Sequence, residues 1–390
     1  MRTMLLKNNS KKINLLVKYS EDYLGETFNK IEIENLLNYK NKIDEVSSQK
    51  IWDRTKKLTN DYELIHMPTR KNKHQSIALY NPLSRSYFKM WEIIFDFKLI
   101  SNENKKMVIA CLAEGPGGFI EAINNYRRNY AKSIDPIYGI TLKSENKDIP
   151  GWNKAHNYLN NNNNIKISYG IDNTGNLYNL NNILYFRDLI LKNEKSKVDI
   201  ITADGGFDFS INFNNQEQLS HRLIFCEIVT ALTIQKLKGK FICKFFDIYS
   251  ELSMSFIYIL TNFYENVYIT KPHTSRPANS EKYIVAYNFL GIDNRYLQEL
   301  QNIVKYWDIL SKNNWHINSI FEKKMPLDFI SNILKYNTNN SNEQIKNIVK
   351  TLNYIENNKK LEDTKSYQSM IACNWCNKYK VKINKHSIYL

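Results

Sequence analysis

Two charged side chains occupy positions where a folded chain normally places apolar ones. Lys244 alternates with apolar residues within 241–246, which predicts a place inside a buried strand. Asp204 directly follows the apolar run 198–203 and therefore ends a predicted strand. A buried lysine needs a partner or a function, because an unpaired charge is costly to remove from water. Burial or a nearby cation lowers a lysine pKa and frees the amine for proton transfer, whereas carboxylates oppose that shift.

A second candidate site is the loop that follows the apolar run 107–113. Its glycines let a ligand approach the backbone, and the helix predicted after it presents free N–H groups. The spacing fits neither the GxGxxG fingerprint nor the P-loop, and the loop's glutamate would repel a pyrophosphate. A ligand with a cationic end fits better, and S-adenosylmethionine has an α-ammonium and a sulfonium; a tight turn without a ligand is the alternative. The residues concerned are Glu114, Gly115, Pro116, Gly117, Gly118 and Phe119.

The segments that position these residues alternate between short apolar runs and helical stretches. The runs with strand character are 107–113, 137–141, 198–203, 240–246, 266–270 and 282–288. The helical stretches between them include 118–129, 218–237 and 251–264. This alternation predicts an α/β fold with a mostly parallel, doubly wound Rossmann-like sheet. Asp204 and the glycine loop would then share the carboxyl edge of the sheet, where ligands bind.

Helical patterns flank this central region. Residues 5–69 have amphipathic helical spacing without strand-like alternation, and the residues after 293 have a Lys-rich and Asn-rich helical pattern. We therefore expect a helical N-terminal extension over 1–80, a catalytic domain over 81–292 and a basic helical C-terminal region over 293–390.

Composition bounds the class of protein. The 390 residues are 43% hydrophobic, which suffices for one large domain with extensions or for two domains and excludes wholesale disorder. Lys and Arg number 54 against 39 Asp and Glu, and the resulting charge of +15 is typical of a protein with a polyanionic partner. Only 10 of the 54 cations are arginines, so an AT-rich genome accounts for part of this excess.

The cysteines and the apolar runs bear on compartment and metal content. Five scattered cysteines do not form a disulfide framework, and no stretch has the length of a membrane span or a secretory h-region. We expect an intracellular protein that is neither secreted nor membrane-spanning. Cys373, Cys376 and His386 give three of the four ligands of a zinc site, so no metal is predicted, and two buried thiols on a helix are the simpler interpretation.

Three separate motifs make the sequence similar to a known family. The motifs are 203–207 (ADGGF), 239–244 (GKFICK) and 274–283 (TSRPANSEKY), supported by 116–119 (PGGF) and 139–143 (GITLK). In this order they resemble the FtsJ-like RNA ribose 2′-O-methyltransferases over about residues 52–288. Within that family, the sequence resembles the cap-specific mRNA branch most, including its members from large DNA viruses. The resemblance implies a Rossmann-like fold with S-adenosylmethionine as the cofactor.

The family has a Lys-Asp-Lys-Glu tetrad, and its pattern matches Lys89, Asp204, Lys244 and Glu281. Taken alone, Lys89 is also compatible with a solvated helix lysine, and Glu281 with a surface carboxylate. A ribose 2′-hydroxyl is a very weak acid that must lose its proton as it attacks a sulfonium methyl, so the reaction needs a base. The resemblance implies Lys244 as that base, Asp204 beside the methyl donor, and Glu281 orienting Lys244 or contacting the ribose. This chemistry requires no metal.

The resemblance assigns cofactor binding to the glycine loop and places Ser84 and Asn176 near the donor. Two positions depart from the cellular relatives. Those proteins often have an acidic residue where this chain has Cys111, and an aspartate where it has Asn176. We therefore expect Glu114 or Asp172 to take over the contact with the ammonium group or the ribose.

Residues 52–55 and 62–65 resemble the segment that precedes the first tetrad lysine in the cap-specific enzymes. An aromatic face in this segment could stack on the cationic base 7-methylguanine, although a place in the core is the alternative for its tryptophan. Residues 210–220 and Arg276 are better candidates because they border the predicted site. The expected RNA and cap contacts are Trp52, Arg54, Gln218, Ser220 and Arg276.

These observations favour a cap ribose 2′-O-methyltransferase that acts on the first transcribed nucleotide of capped mRNA, with other capping or transcription proteins as further partners. A ribosomal or transfer RNA ribose methyltransferase would share the tetrad but usually lacks long extensions. A non-catalytic RNA-binding scaffold would keep the fold, but the intact tetrad argues against it. AT-rich composition and motif style suit a large DNA virus, which adds a viral particle or factory to the cytoplasm and nucleus as expected locations.

Overall fold

The computed structural model describes residues 2–9, 14–69, 71, 73–143, 151–206, 215–357 and 362–390. The strands are β1 (Thr3–Lys7), β2 (Leu15–Ser20), β3 (Ile109–Leu112), β4 (Ile137–Ile140), β5 (Ile165–Ser168), β6 (Val198–Ala203), β7 (Gln235–Phe245), β8 (Tyr264–Thr270), β9 (Lys282–Phe289) and β10 (His316–Phe321). The helices are α1 (Lys30–Asp44), α2 (Gln49–Leu58), α3 (Ser86–Asp96), α4 (Gly118–Tyr126), α5 (His156–Asn160), α6 (Leu180–Glu194), α7 (Gln216–Ile234), α8 (Glu251–Phe263), α9 (Asn294–Lys312), α10 (Leu327–Glu356) and α11 (Glu362–Lys378).

Within the described residues, one large sheet has the order β1-β8-β9-β7-β6-β3-β4-β5, and β10 pairs separately with β2. The strands from β7 to β5 in this order are parallel, while β9 runs antiparallel to β7 and β8. The chain leaves β3 towards β4 and β5 and then returns on the other side to β6. Such a switch point opens a crevice at the carboxyl ends of the strands, so the loops after β3 and β6 are the expected ligand-binding positions.

The predicted α/β, Rossmann-like fold is confirmed, and the reason lies in the parallel strands. β3 and β4 are buried at every position. A parallel sheet covered on both faces requires such continuous apolar runs, which makes these strands visible in the sequence. All six predicted strands and all three predicted central helices are present, with ends that differ by a few residues.

The flanking regions contain three strands beside their helices, which the sequence did not predict. β1 alternates between buried and more exposed residues, and it joins the large sheet as the antiparallel neighbour of β8. β2 and β10 form the small sheet although they come from opposite flanks of the chain. Each strand has five or six residues, too few to compete with the longer helical patterns beside them, and their partners are distant in sequence.

The described residues group into two compact units, each built from several stretches of the chain. The first unit consists of 1–28, 100–271 and 281–337, and the second of 29–99, 272–280 and 338–390. The first unit contains both sheets. The second unit collects α1, α2, α3 and α11 with the short segment 272–280, and α10 begins in the first unit and continues into the second.

Candidate active site

The glycine loop lies at the carboxyl end of β3, beside the switch point of the sheet. Gly117 precedes α4 with a φ of 105°, a left-handed conformation that favours glycine. Glu114 is buried, and its Oε1 accepts a hydrogen bond of 2.9 Å from the backbone N–H of Phe119. Burial raises the pKa of Glu114 well above its usual range, and the nearby Asp204 adds to this rise. Glu114 therefore closes the first turn of α4 from inside the protein.

Asp204 lies at the carboxyl end of β6, on the other side of the same crevice. Its Oδ1 accepts a 2.9 Å hydrogen bond from the hydroxyl of Tyr283. Lys244 donates a 2.8 Å hydrogen bond to the Asp204 carbonyl oxygen, and its Nζ lies 3.4 Å from Asp204 Oδ1. Lys244 and Tyr283 are direct partners in the β7–β9 register, so two neighbouring strands aim both groups at one carboxylate.

The surroundings of Lys244 decide its charge. Its side chain is only 12% exposed. Burial alone would lower the pKa of Lys244, but the carboxylates of Asp204, Glu281 and Glu227 outweigh burial and raise it above its ordinary value. The amine is therefore an ammonium at neutral pH in the absence of a bound cation. It can act as a base only in the minor neutral form, or when another positive charge offsets the carboxylates.

Glu227 is a member of this cluster that the sequence reasoning missed. It lies on α7 with 1% exposure, and the Cys243 thiol donates to its Oε2 at 3.6 Å. Burial raises the pKa of Glu227 to about 8, and Asp204 adds to the rise. A Cβ atom at Gly205 would lie 2.2 Å from Glu227 Oε1, so the turn after Asp204 passes directly over this carboxyl group. Its lone acidic position in the apolar run 223–229 was the available indication.

The predicted tetrad residues are distributed over both units. Asp204, Lys244 and Glu281 belong to the first unit, where Lys244 responds electrostatically to both carboxylates. Lys89 belongs to the second unit, half-buried on α3. Ser84 is also in the second unit, and its Oγ lies 2.6 Å from the Oγ of Ser86.

The other predicted cofactor residues lie in the loop after β5. Asp172 is exposed, and its carboxylate accepts hydrogen bonds from Thr174, Asn179 and Asn182. These bonds, with the Thr174 hydroxyl foremost, lower the pKa of Asp172 to about 2. Asn176 Oδ1 accepts a 2.9 Å bond from the next residue but one. Both predicted side chains therefore hold the shape of their own loop.

The predicted substrate contacts have different surroundings. In the second unit, Trp52 is buried at 5% exposure, which favours the core interpretation, whereas Arg54 is exposed on the same helix. Arg276 donates to both oxygens of Glu63, at 2.8 and 3.2 Å. In the first unit, Ser220 is buried and donates to a carbonyl of its own helix.

Gln218 is half-buried near the beginning of α7. Residues 210–214 of the predicted RNA-binding segment lie outside the described residues.

Within the described part of the chain, no cluster of three or more His, Cys, Asp or Glu side chains is arranged to hold a metal ion. Cys376 is buried and Cys373 half-buried on α11. In the same residues, no helix combines the length and apolar character that a membrane span needs.

The glycine loop and the lysine surrounded by carboxylates lie at the switch point of a Rossmann-like sheet, where ligands bind in such folds. Residues 82–289 match the family model described as FtsJ-like methyltransferase. Because this match spans more than half of the chain, the protein belongs to the FtsJ-like methyltransferase family. Membership confirms the predicted enzyme class and supports S-adenosylmethionine as the cofactor.

Individual relatives agree with this assignment. The chain is 33% identical over 269 residues to cap-specific mRNA (nucleoside-2'-O-)-methyltransferase 1 of Xenopus laevis, covering 62% of this chain and 31% of that protein. It is 32% identical over 204 residues to the protein of the same name from Trypanosoma cruzi, covering 52% of this chain and 53% of that protein. The match thus spans about a third of the Xenopus protein and half of the trypanosome one.

Among solved structures, a putative ribosomal RNA methyltransferase from Plasmodium falciparum is similar at 20% identity and a TM-score of 0.36. That likeness covers 54% of this chain and 99% of the other. The family assignment rests on the sequence match.

Proposed function

We propose that this protein is an S-adenosylmethionine-dependent mRNA cap ribose 2′-O-methyltransferase that methylates the first transcribed nucleotide. The observation that carries the proposal is Lys244, buried at the carboxyl edge of the sheet among Asp204, Glu227 and Glu281. The cap-specific relatives supply the substrate class. The reaction would take place inside a cell, or in a viral particle or factory.

The glycine loop fits the proposed cofactor. Residues 115–118 lie at the N-terminus of α4, and Gly117 and Gly118 carry no side chain that would keep a ligand from the backbone. Glu114 holds this loop in shape through its bond to Phe119. S-Adenosylmethionine, when bound, supplies an electrophilic methyl group on a sulfonium. The resemblance adds Ser84, Asp172 and Asn176 as proposed cofactor contacts.

The carboxylate cluster then serves proton transfer. The ribose 2′-oxygen would form its bond to the methyl carbon as the bond from that carbon to sulfur breaks and leaves S-adenosylhomocysteine. The 2′-hydroxyl proton would pass to the neutral amine of Lys244, which becomes an ammonium. The carboxylates of Asp204 and Glu281 stabilise that ammonium, and Tyr283 fixes Asp204 through its hydroxyl. The resemblance assigns Lys89 to the same tetrad, where a second cation would lower the pKa of Lys244 and increase the share of neutral amine.

Surface cations and the second unit supply the proposed RNA contacts. Arg54 is exposed on α2, and a guanidinium there suits a phosphate oxygen. Gln218 and Ser220 lie near the beginning of α7, which follows the segment after Asp204. Trp52 supports α2 from its buried side, and Arg276 shapes the segment 272–280 through Glu63. The net charge of +15 adds a salt-dependent phosphate attraction.

The experiment that tests the proposal compares short RNAs with an N7-methylated cap, an unmethylated cap or a 5′-triphosphate. RNA binding does not discriminate, because a basic surface binds any RNA. Digestion of the product and mass spectrometry should locate one 2′-O-methyl group at the first nucleotide of capped RNA only. Labelled internal riboses or efficient labelling of triphosphate RNA would favour a ribosomal or transfer RNA methyltransferase, and no label on any RNA would favour a scaffold.

A further inference from the structure

Glu92 is a buried carboxylate that the proposed chemistry does not use. It lies on α3, three residues after Lys89, and is only 1% exposed. It accepts hydrogen bonds from the backbone N–H groups of His273 and Thr274, at 2.5 and 3.1 Å. The Thr274 hydroxyl and the indole N–H of Trp375 donate to its Oε2 at 3.1 and 3.2 Å. Four donors from two distant parts of the chain thus converge on one carboxyl group.

Three of these donors belong to the segment 272–280, which connects β8 to β9 and leads directly into Glu281. Thr274 and Ser275 are almost fully buried. The segment therefore has buried backbone N–H groups without a strand or helix to satisfy them, and a buried N–H that loses its acceptor is strongly destabilising. Glu92 accepts from the buried N–H of Thr274 and from the N–H of the half-buried His273, which fixes the path of this segment against α3.

A second carboxylate holds the same segment by its side chain. Arg276 forms its two bonds with Glu63, and Arg85 approaches Glu63 at 3.4 Å and donates to the Thr274 carbonyl oxygen at 3.5 Å. The segment is thus attached at its backbone by Glu92 and at its side chain by Glu63.

The fourth donor ties in the C-terminal helix α11. Trp375 is 3% exposed and packs edge-on against Phe88 of α3, with ring centroids 5.7 Å apart. Trp91 of α3 donates in turn to the carbonyl oxygen of Tyr379, just after α11, at 2.9 Å. The C-terminal region therefore supports the same carboxylate that holds the segment 272–280.

We infer that Glu92 is a positioning residue for the RNA substrate, which fixes the segment 272–280 on α3 with the help of Trp375 and thereby sets the affinity for capped RNA. The inference rests on the proposed function for its substrate. Glu92 is not among the groups that touch the reacting atoms in the proposed reaction. Its loss should raise KM for RNA and leave the chemical step and cofactor binding largely intact.

The test uses the full chain with Glu92→Gln, which keeps the size of the side chain but leaves a single oxygen to accept bonds. We expect amide hydrogen exchange in peptides covering 272–280 to accelerate at least about tenfold, and KM for N7-methyl-capped RNA to rise about tenfold. The kcat should stay within about threefold, and the affinity for S-adenosylhomocysteine by calorimetry within about twofold.

Trp375→Phe, which removes one donor and keeps an aromatic ring, should shift exchange and KM in the same direction by about two- to threefold. Trp315→Phe, at a half-buried tryptophan of the first unit, is the matched control and should change neither.

Unchanged exchange over 272–280 in folded Glu92→Gln protein would overturn the inference, as would a fall in kcat at unchanged KM. If Glu92→Gln does not fold, Trp375→Phe and Thr274→Val, which deletes one hydroxyl donor, decide by the same two measurements. If the wild-type protein methylates no RNA, the proposed function fails, while the exchange measurement still determines whether Glu92 holds the segment.

Discussion

Glu63 in the second unit and Glu227 in the first are both almost fully buried, yet their pKa values are shifted in opposite directions. Glu63 is bound by the guanidinium of Arg276 and lies 3.4 Å from Arg85, and the two cations outweigh burial and lower its pKa below the usual value. Glu227 has a thiol as its hydrogen-bond donor and both Lys244 and Asp204 nearby. Burial outweighs the Lys244 cation and raises the pKa of Glu227 to about 8. One carboxylate is a fixed anion, and the other titrates near neutral pH.

This difference separates a structural site from a chemical one. A carboxylate paired with cations gains stability and loses the ability to exchange protons near neutral pH. Carboxylates that crowd one lysine raise the pKa values of their neighbours and keep protons available, and perturbed groups of this kind cluster at functional sites. The Lys244 cluster therefore has the electrostatics of a reaction centre. Glu63, Arg85 and Arg276 form a structural ion-pair cluster instead, here called the clamp.

The first prediction removes the proposed base Lys244 and leaves the cofactor loop unchanged. Lys244→Ala should lower kcat for methyl transfer by about 10²–10⁴, because a positioned base contributes that much. Binding of S-adenosylhomocysteine should stay within about threefold by calorimetry, since the amine is not part of the glycine loop. Lys236→Ala is the matched control, because Lys236 lies on the same strand β7 but is half exposed in a surface ion pair with Asp199. Turnover of Lys244→Ala within about tenfold of wild type would remove Lys244 from the role of base.

The second prediction breaks the clamp. Glu63→Gln should lower the free energy of unfolding at pH 7 by about 2–3 kcal/mol, since it leaves two partly buried guanidiniums without their anion. The pKa of Glu63 is lowered in the fold, so its contribution is present above the unfolded pKa of about 4.5 and is lost as pH falls through the folded value. Urea denaturation at pH 7 and pH 4 measures the difference, which should shrink at the lower pH.

Glu299→Gln, which breaks an ion pair with Arg295 at 89% exposure, is the control and should change stability by less than about 0.5 kcal/mol. An equal effect of the two substitutions at pH 7 would mean that the Glu63 cluster is not a clamp.

The two regions also differ in what the sequence could predict. Lys244 was detectable because it is a single charge in a mostly apolar stretch, and the sheet because β3 and β4 are continuous, fully buried runs. β1 was missed because its partner β8 is more than 250 residues away, with Thr3 opposite Thr270. No local pattern encodes such a pairing.

The balance of charges at the candidate site was also beyond the sequence. Burial and carboxylates act on Lys244 in opposite directions, and the sign depends on how many carboxylates reach it. Glu227 becomes one of them only because α7 packs beneath Gly205. The bonds of Glu92 to His273 and Thr274 connect residues about 180 positions apart and follow from the fold alone.

The third prediction tests the close packing over Glu227. Gly205→Ala places a Cβ atom 2.2 Å from Glu227 Oε1 and 2.8 Å from Leu223 Cδ2, so the turn after Asp204 must shift. We expect a loss of about 1–3 kcal/mol in stability together with reduced turnover, since overpacking forces such displacements. Gly151→Ala is the matched control, because nothing lies within 4 Å of the added atom. Equal stability and turnover of the two variants would contradict the packing of Glu227 under this turn.

The last prediction concerns the negative charge that Glu227 acquires at alkaline pH, which the substitution Glu227→Gln removes. Below the pKa of Lys244, a reaction that needs its neutral amine should accelerate about tenfold per pH unit. As pH rises past about 8, wild-type Glu227 ionises and raises the pKa of Lys244 further, so the rate should rise less steeply there. Glu227→Gln cannot ionise, and its single-turnover rate should match wild type below pH 7 and exceed it by about threefold above pH 8.5. The measurement is the single-turnover rate from pH 6 to 9.5 under saturating cofactor. Coincident curves throughout would mean that Glu227 does not act on the base. A slower variant above pH 8.5 would mean that its negative charge assists the reaction.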